Sequence, residues 1–320
     1  MLTLFQLLEQ IQPSTEGILT LPAALVEDGQ QIRFNAEQER GPLIRQLYSL
    51  YHLRVREIAT LTVPDIFNGA SSSADAHLTR AFSKLFRGRF YESLGWKRQT
   101  CENDGVGGHF TRAGVSLHCS AAQIRRMEDD LHHTLLFPCL QTGARPGFFV
   151  MHSSHGPANP VQFRVYLNLE SSRSITSLYY IWQALDARSM KFSIKVVSSA
   201  YRLGRSDSAV IYIAADGLRS CLRELRNLRF DRHFPRLVAS TSLFARRVSD
   251  GIAVAEEPER RTGDALLSFG QHRASMLAAA IIAARTSGWS TDALIFALRM
   301  EGMDPRRAYR NQRVGWIANG

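Results

Sequence analysis

The sequence predicts an α+β fold, with a mainly helical region over residues 1–142 and a mostly antiparallel sheet flanked by helices over residues 143–320. Two patterns support this prediction. In the first region apolar residues recur at the three- and four-residue spacing of amphipathic helices. In the second region segments that alternate apolar and polar residues, which are typical of half-buried strands, lie between segments with helical spacing.

The first region contains several predicted helices and a polar stretch. Residues 1–60 are predicted to be helical, because leucines repeat from Leu2 onward and again over residues 42–56. Residues 65–115 are rich in Gly and Ser in places, with a helix expected at 75–86. A further helix is expected at 120–131, where Ser120 is a suitable N-cap residue.

The second region contains the predicted sheet, with helices on one side of it. Strands are predicted from alternation or from short apolar runs at residues 148–152, 161–169, 191–197, 209–214 and 236–244. Helices are predicted at residues 172–187, 216–228, 268–285 and 291–300. The most apolar run of the whole chain, residues 276–284, is about half as long as a membrane span, so it predicts a buried helix.

The polar side of the predicted sheet carries hydrogen-bond donors and cations rather than a mixture of charges. Opposite the apolar positions of the strands at 161–169 and 191–197 lie Gln162, Arg164, Tyr166, Asn168, Lys191, Ser193 and Lys195. The first carboxylate is Glu170, at the end of its strand. On adjacent strands these groups converge on one face suited to an oxyanion. A solvated face of a basic protein is the alternative interpretation.

The charge of the chain comes almost entirely from arginine. The 39 basic and 29 acidic residues give a formal net charge of +10, and only four of the basic residues are lysines: Lys84, Lys97, Lys191 and Lys195. Arginine stays charged and binds carboxylates and phosphates as a planar fork, whereas the pKa of a lysine can fall far enough for it to act as a base. A GC-rich genome is a sufficient explanation of the bias, but two of the four lysines still lie in one predicted strand.

Missing motifs exclude several function classes. No P-loop, HExxH motif or paired carboxylate motif occurs, so we expect neither a metal nor a nucleotide cofactor. The arginines are dispersed, and no basic block, zinc finger or aromatic RNA-binding signature occurs, so we do not expect a nucleic-acid partner.

The sequence also predicts a cytoplasmic protein that does not associate with a membrane. The N-terminus has neither a basic leading region nor a cleavage site for a signal peptide. Widely spaced cysteines without a CxxC pair are typical of reduced thiols, and the four are Cys101, Cys119, Cys139 and Cys221.

Four motifs in the second region carry a resemblance to a known family. In order they are FRVYLNL (163–169), KV…YRLGRSDSAVIYI (195–213), GIAVAEEP (251–258) and SFGQHR (268–273). This series resembles the HopA-type family of type III secretion effectors, which includes the lyase proteins of class V lanthipeptide and thioamitide biosynthesis. The resemblance covers roughly residues 145–285.

The resemblance implies a chemistry. The biosynthetic members look like phosphoserine/phosphothreonine lyases. A partner Ser/Thr kinase phosphorylates a precursor peptide, and the lyase eliminates phosphate to give dehydroalanine or dehydrobutyrine, without a cofactor. The family is similar, more remotely, in fold and activity to the effector phosphothreonine lyases, which use a lysine as base and a histidine as acid.

β-Elimination first requires a base that removes the Cα proton. A lysine surrounded by arginines is suited to this role, because neighbouring cations and burial lower its pKa. Lys195 lies on the polar face and occupies the place of the lysine base in the effector lyases, so we predict it as the base. Lys191 is the second candidate, either as base or beside the phosphate.

The departing phosphate requires convergent cations and a source of a proton. The predicted phosphate ligands are Arg164, Arg202, Arg205 and Arg273. Backbone N–H groups at the helix start near Ser268 are a further candidate, although Ser268 is equally well explained as a helix cap. Side chains expected to orient the substrate are Tyr166, Asn168 and Tyr212.

The predicted general acid is His152, in the short strand at 148–152. The effector lyases carry a lysine two residues before their histidine, whereas this chain has Val150 there. His155 and His272 are the alternatives. A noncatalytic effector-like protein that binds a phosphorylated or acidic partner through the same basic face is the alternative function, because binding and elimination require the same arginines.

Overall fold

The computed structural model describes residues 3–13, 18–20, 31–33, 40–54, 75–99, 107–127, 132–259 and 267–312. In the first region it places helices α1 (Leu4–Leu8), α2 (Arg40–Leu47) and α3 (Ala76–Leu85), and a π-helix (Tyr48–Leu53) continues α2. The strands of this region are β1 (Gln12–Pro13), β2 (Ile18–Thr20), β3 (Gln31–Arg33), β4 (Phe90–Gln99), β5 (Gly107–Arg112), β6 (Val115–Ser120), β7 (Ile124–Met127) and β8 (His132–Pro138).

The second region alternates strands and helices. Its strands are β9 (Leu140–Arg145), β10 (Phe148–His152), β11 (Phe163–Leu167), β12 (Phe192–Val197), β13 (Ala209–Ile213), β14 (Arg246–Ser249) and β15 (Ile252–Glu256). Its helices are α4 (Ser172–Asp186), α5 (Ala215–Leu228), α6 (Phe269–Thr286) and α7 (Thr291–Met300). No helix among the described residues is both long and apolar enough to cross a membrane.

These strands form one antiparallel sheet in the order β14-β15-β11-β13-β12-β10-β9, which confirms the predicted α+β class. One face packs on α3, α4 and α5 through a core that contains Phe82, Trp182, Ile194 and Leu225. The predicted apolar positions of β11 and β12 lie in this core, as the alternation requires. The boundary predicted at residue 142 falls within β9, and the division into two domains stays a prediction.

The opposite face of the sheet is covered as well, so the prediction of helices on one side only is wrong. Helix α2, the π-helix, α6 and α7 form a second core over it, together with sheet residues Tyr166, Val210 and Ala253. The polar face is therefore not a solvated surface. The charged groups that are fully buried on this face must be paired or hydrogen-bonded, because burying an unpaired charge is costly.

The first region is less helical than predicted. Residues 90–138 contain an antiparallel sheet in the order β6-β5-β4-β8-β7, with its own core around Trp96 and Phe110. The helix expected at 120–131 is wrong in its described part: Ser120 caps only a short 3-10 turn, and residues 124–127 then pair with β8. Pairing with a strand eight residues later outweighed the local helical signal.

Two further element predictions need correction. Within the predicted helical residues 1–60, the described part contains β1, β2 and β3 between α1 and α2. The strand predicted at 236–244 is reduced to a single bridge between Leu169 and Leu237. The three cysteines that the structure describes (Cys119, Cys139 and Cys221) are buried free thiols, and Cys101 lies outside the described residues.

Candidate functional site

The register of the sheet gathers most of the predicted site residues on its second face. Arg164 pairs with Tyr212, which pairs with Ser193 on the next strand. One row along, Tyr166 pairs with Val210, which pairs with Lys195. Residues directly opposite each other on antiparallel strands point to the same side, so these side chains share one surface.

Lys195 lies on this surface in β12, an inner strand that pairs with β10 on one side and with β13 on the other. Its Nζ is 3.8 Å from the centre of the Phe148 ring on β10, and the side chain is only partly buried. Among the described residues, no hydrogen bond or ion pair to Lys195 is present. An ammonium held over an aromatic ring keeps its proton donors available to a ligand.

The surroundings of Lys195 favour the neutral amine. Burial lowers the pKa of Lys195 from 10.5 to about 8; Asp207 opposes this change, and three arginines add to it: Arg205, Arg164 and Arg145. An amine with this pKa is partly deprotonated near neutral pH, which is what a general base requires.

Arg205 and Asp207 form a buried ion pair in the connection between β12 and β13. Arg205 donates from Nε to Asp207 Oδ1 at 2.5 Å and from Nη2 to Oδ2 at 3.0 Å. Burial acts to raise the pKa of Asp207, but Arg205 and then His52 lower it to about 2. The carboxylate is therefore charged at any pH at which the protein works.

The π-helix holds this ion pair from above the sheet. His52 Nε2 lies 3.7 Å from Asp207 Oδ2, and Tyr48 accepts a hydrogen bond from Arg205. Ser206 donates from its backbone to the Leu53 carbonyl at 2.9 Å and from its hydroxyl to the His52 carbonyl. The turn that carries Arg205 and Asp207 is thus fixed by residues more than 150 positions earlier in the chain.

His52 itself is neutral and fully enclosed. Burial lowers its pKa to about 4, and its Nδ1 lies 2.8 Å from the Ser242 hydroxyl. Helix α6 approaches so closely that a Cβ atom at Gly270 would lie 2.2 Å from the His52 ring. A side chain larger than hydrogen at position 270 cannot be accommodated here without moving the π-helix or α6.

Arg164 is engaged in a second buried ion pair, with Glu257. Its Nη2 donates to Glu257 Oε1 at 2.7 Å, Nε donates to Oε2, and the guanidinium lies 5.2 Å from the centre of the Tyr212 ring. The Tyr166 hydroxyl is buried beside it, and burial raises the pKa of that phenol. Both predicted phosphate ligands on this face, Arg164 and Arg205, therefore donate their paired guanidinium hydrogen bonds to carboxylates of the same chain.

Arg202 and Arg145 lie at the rim near Lys195. The Arg202 guanidinium carbon is 5.9 Å from the centre of the Phe148 ring, so it is at most about 10 Å from Lys195 Nζ by the triangle inequality. It packs against the turn between β9 and β10, where a Cβ at Gly147 would lie 2.7 Å from Arg202 Nη1. Arg145 starts the same turn and is exposed.

The predicted acid, His152, lies on the same face but in a different row. It pairs with Ser193, whose hydroxyl is 2.8 Å from His152 Nδ1, and its ring packs on Tyr91 from β4. Burial lowers its pKa to about 4, so it is a neutral imidazole at neutral pH. Of the alternatives, His155 is exposed in the loop after β10, and His272 lies on α6.

Four other predicted residues lie apart from Lys195 or have structural partners. Lys191 is exposed just before β12, about 13 Å along the strand from Lys195. Asn168 is fully buried and donates to the carbonyl and hydroxyl of Ser240 at 2.9 Å each. These two therefore lie outside the cluster around Lys195.

Arg273 and Ser268 belong to the start of α6. Arg273 is buried and donates to the Arg310 carbonyl at 2.8 Å and to Asn311 Oδ1 at 2.9 Å, which ties the end of the described chain to the helix. Ser268 caps α6, accepting a hydrogen bond from the Gln271 N–H at 3.3 Å, and also contacts Tyr48. Its capping role is clear, and it reaches the site only through Tyr48.

Sequence reasoning missed five residues of the cluster: Tyr48, His52, Arg145, Asp207 and Glu257. Asp207 and Glu257 lie within two of the motifs that carried the resemblance, and a search for the carboxylate partners of the arginines would have found them. Tyr48 and His52 have no such signal. Among the described residues, no group of three or more His, Cys, Asp or Glu side chains could hold a metal ion.

Comparison with known proteins identifies the family of this chain. Residues 139–310 match the model of the HopA1 effector protein family. The chain belongs to this family. The match includes Lys195, Arg205 and Asp207, whereas the π-helix with Tyr48 and His52 lies before its first residue.

Two solved effector structures from Pseudomonas syringae are similar to the chain. The effector of pathovar tomato strain DC3000 is 22% identical, over 52% of this chain and 63% of its own, with a TM-score of 0.40. The effector of pathovar syringae strain 61 is 17% identical, over 76% of this chain and 84% of its own, with a TM-score of 0.43. The match thus spans less than two thirds of the first effector. No similar sequence was found among curated proteins.

Proposed function

We propose that this protein is a phosphoserine/phosphothreonine lyase that eliminates phosphate from a phosphorylated precursor peptide in lanthipeptide-type biosynthesis. The observation that carries the proposal is Lys195: a partly accessible lysine with a pKa of about 8, surrounded by permanently charged arginines. Neither a solvated surface lysine nor a buried structural one requires this environment. A base that acts at neutral pH does.

The first half of the reaction is proton removal. The neutral Nζ of Lys195 takes the Cα proton of the phosphorylated residue, and the electron pair left on Cα forms the Cα=Cβ double bond. The bond between Cβ and the phosphate oxygen breaks, and phosphate leaves with the electron pair of that bond. The products are dehydroalanine or dehydrobutyrine, free phosphate and an ammonium at Lys195, and no cofactor is required.

The second half of the reaction is stabilisation of the leaving phosphate. Four arginines and two carboxylates around Lys195 leave a net charge of 4 − 2 = +2 before the lysine is counted; these are Arg145, Arg164, Arg202, Arg205, Asp207 and Glu257. Arg145 and Arg202 lie at the rim near Lys195, so we assign the direct phosphate contacts to them. Arg164 and Arg205 act through the electrostatic potential and through the position of Lys195.

The low pKa of His152 argues against its predicted role as general acid. Its pKa of about 4 means that almost no imidazolium is present at neutral pH, and its Nδ1 is engaged with Ser193. Solvent can protonate the departing phosphate, because the side chain of Lys195 is partly accessible. His152 would then help to position β10 against β12, and its replacement would slow the reaction less than replacement of Lys195.

The test is mass spectrometry of a phosphothreonine peptide incubated with the purified protein and no added cofactor. The lyase is supported by loss of phosphoric acid from the peptide with the parent protein and not with Lys195→Ala. Arg80→Ala, in an exposed position on α3, is the control that must retain activity. Binding of the phosphopeptide by both proteins without any elimination would instead support a noncatalytic protein that binds a phosphorylated partner.

A further inference from the structure

A second surface of the protein, on the opposite side of the sheet from Lys195, has the properties of a docking site. Helix α5 carries three exposed arginines, Arg219, Arg223 and Arg226, spaced four and three residues apart. This spacing places them on one side of the helix. Among the described residues, no carboxylate forms an ion pair with any of the three.

An apolar cleft lies at the C-terminal end of α5, where Leu228, two residues after Arg226, contributes to its lining. It has a volume of about 340 Å³ between α4 and the end of α5, and its lining includes Tyr180, Ala184, Leu228 and Phe234. Tyr180 is 44% exposed and stacks on His233 with ring centres 4.5 Å apart. Phe230, just beyond the helix end, is 91% exposed. Large apolar side chains exposed together beside a cleft are typical of an interaction site.

The acidic groups near the cleft do not neutralise the stripe. Asp231 uses its carboxylate to accept a hydrogen bond from the His233 N–H at 2.8 Å, and Glu224 is buried and paired with Arg188. Asp250 lies between Arg229 and Arg247. Within the described part of the chain, these carboxylates are thus engaged with groups other than the three arginines of the stripe.

We propose that this surface binds an acidic peptide segment that places one aromatic or aliphatic side chain in the cleft. The spacing of the three arginines along α5 favours a peptide in an extended conformation. Four and three helical residues separate the arginines by about 6 and 4.5 Å, and alternate residues of an extended chain lie about 6.6 Å apart on one side. Carboxylates at three alternate positions can thus face the three arginines, with the apolar residue following at the cleft end.

Charge alone does not single out this surface. Arg80 and Lys84 on α3 and Arg87 in the turn just after it are also exposed, with the same sequence spacing of four and three residues. What distinguishes α5 is the aromatic cleft at the end of the stripe. A peptide supplies both carboxylates and an apolar side chain, whereas a phosphodiester backbone has no apolar group for the cleft. The proposal does not rest on lyase activity, since it concerns a separate face of the molecule.

The test is fluorescence anisotropy of labelled peptides with the full chain. The first probes contain glutamate at three alternate positions separated by serine, with phenylalanine at either the amino or the carboxyl end. A second set replaces the phenylalanine by glycine, and a third replaces the glutamates by glutamine. We expect at least one of the first probes to bind at least tenfold more tightly than its counterparts in the other sets.

Protein variants locate the binding. The triple change Arg219→Glu, Arg223→Glu and Arg226→Glu should weaken binding of the tightest probe at least tenfold. The triple change Arg80→Glu, Lys84→Glu and Arg87→Glu alters the net charge by the same amount with the same spacing along the sequence, and should leave binding within twofold. Phe230→Ala should weaken binding of the phenylalanine probe and not of the glycine probe.

Four results would overturn the proposal. They are an absence of binding by both first probes, equal binding with and without the phenylalanine, equal losses in the two triple variants, and displacement of the probe by a single-stranded oligonucleotide as strongly as by unlabelled peptide. Elimination of phosphate from a short neutral phosphopeptide serves as an independent readout. It should be unchanged in the α5 triple variant, so failure of this proposal and failure of the lyase proposal are distinguishable.

Discussion

Replacement of Lys195 by arginine separates the charge of this side chain from its ability to accept a proton. With a pKa of about 8, about a quarter of Lys195 is neutral at pH 7.5, against about 0.1% for a lysine at its ordinary pKa of 10.5. The environment thus raises the amount of base roughly 200-fold. A guanidinium in the same place keeps the positive charge but cannot be deprotonated in this pH range.

We therefore expect Lys195→Arg to lower kcat/KM for elimination by about 10²–10⁴, the usual contribution of a general base. Phosphopeptide affinity should change by less than about threefold, because the positive charge remains. For the parent protein, kcat/KM should rise with pH and level off above an apparent pKa near 8. The assay is release of phosphate and of dehydrated peptide, measured between pH 6 and 9.5 under conditions where the protein stays folded.

The control for this experiment is Lys191→Arg, an exposed lysine four positions earlier, which should retain activity and the same pH profile. Elimination by Lys195→Arg within tenfold of the parent rate would refute the assignment of Lys195 as base. A parent pH profile that is flat between pH 7 and 9 would refute the inferred pKa of the base, since deprotonation of Lys195 is what makes the rate rise.

Three further predictions concern the support of the site. Between pH 6.5 and 4, the contribution of His52 to the free energy of unfolding should fall by up to about 3 kcal/mol, because the unfolded chain protonates His52 while the folded chain keeps it neutral. His152 adds a fall in the same direction, and urea titrations should show a smaller total slope in His52→Gln. Asp207→Asn leaves Arg205 buried without its carboxylate, so it should destabilise the protein by about 3–5 kcal/mol. It should also lower the apparent pKa of elimination, because Asp207 raises the pKa of Lys195. An unchanged urea midpoint would contradict a stabilising ion pair between Arg205 and Asp207. Gly270→Ala should lower both stability and kcat/KM, since its Cβ would meet the His52 ring, whereas Gly143→Ala, with open space around it, should change neither.

The polar face could be predicted from the sequence because its signal is local. Alternation within β11 and β12 determines which side Arg164, Tyr166 and Lys195 occupy, and antiparallel pairing then brings them together. Arg205 was predicted because it lies in the turn that joins two of these strands. For these residues, strand periodicity and short connections were sufficient.

The covering layer over this face could not be predicted in the same way. Tyr48 and His52 reach Arg205 and Asp207 across more than 150 residues, and nothing in the pattern of the π-helix distinguishes a helix that packs on the sheet from one that does not. The expected helix at 120–131 was wrong for a related reason. Cross-strand pairing of β7 with β8 depends on a partner that local spacing does not reveal.

The positions of the cations in the sequence do not by themselves show that two of the arginines are paired with carboxylates. Arg164 and Arg205 lie on the expected face, but their guanidinium groups already donate hydrogen bonds to Glu257 and Asp207. A buried guanidinium requires a carboxylate partner, so each buried arginine predicts an acidic residue nearby. Searching for those partners shifts the expected phosphate contacts to the rim, where Arg145 and Arg202 lie beside Lys195.

The most direct test of the central claim, that Lys195 removes a Cα proton and phosphate leaves by elimination, is the reaction of a phosphothreonine peptide in water labelled with oxygen-18. We expect a dehydrobutyrine peptide together with phosphate that carries no oxygen-18, because the bond that breaks joins Cβ to the phosphate oxygen. A threonine peptide together with labelled phosphate would contradict it, because that pair of products results from attack of water on phosphorus.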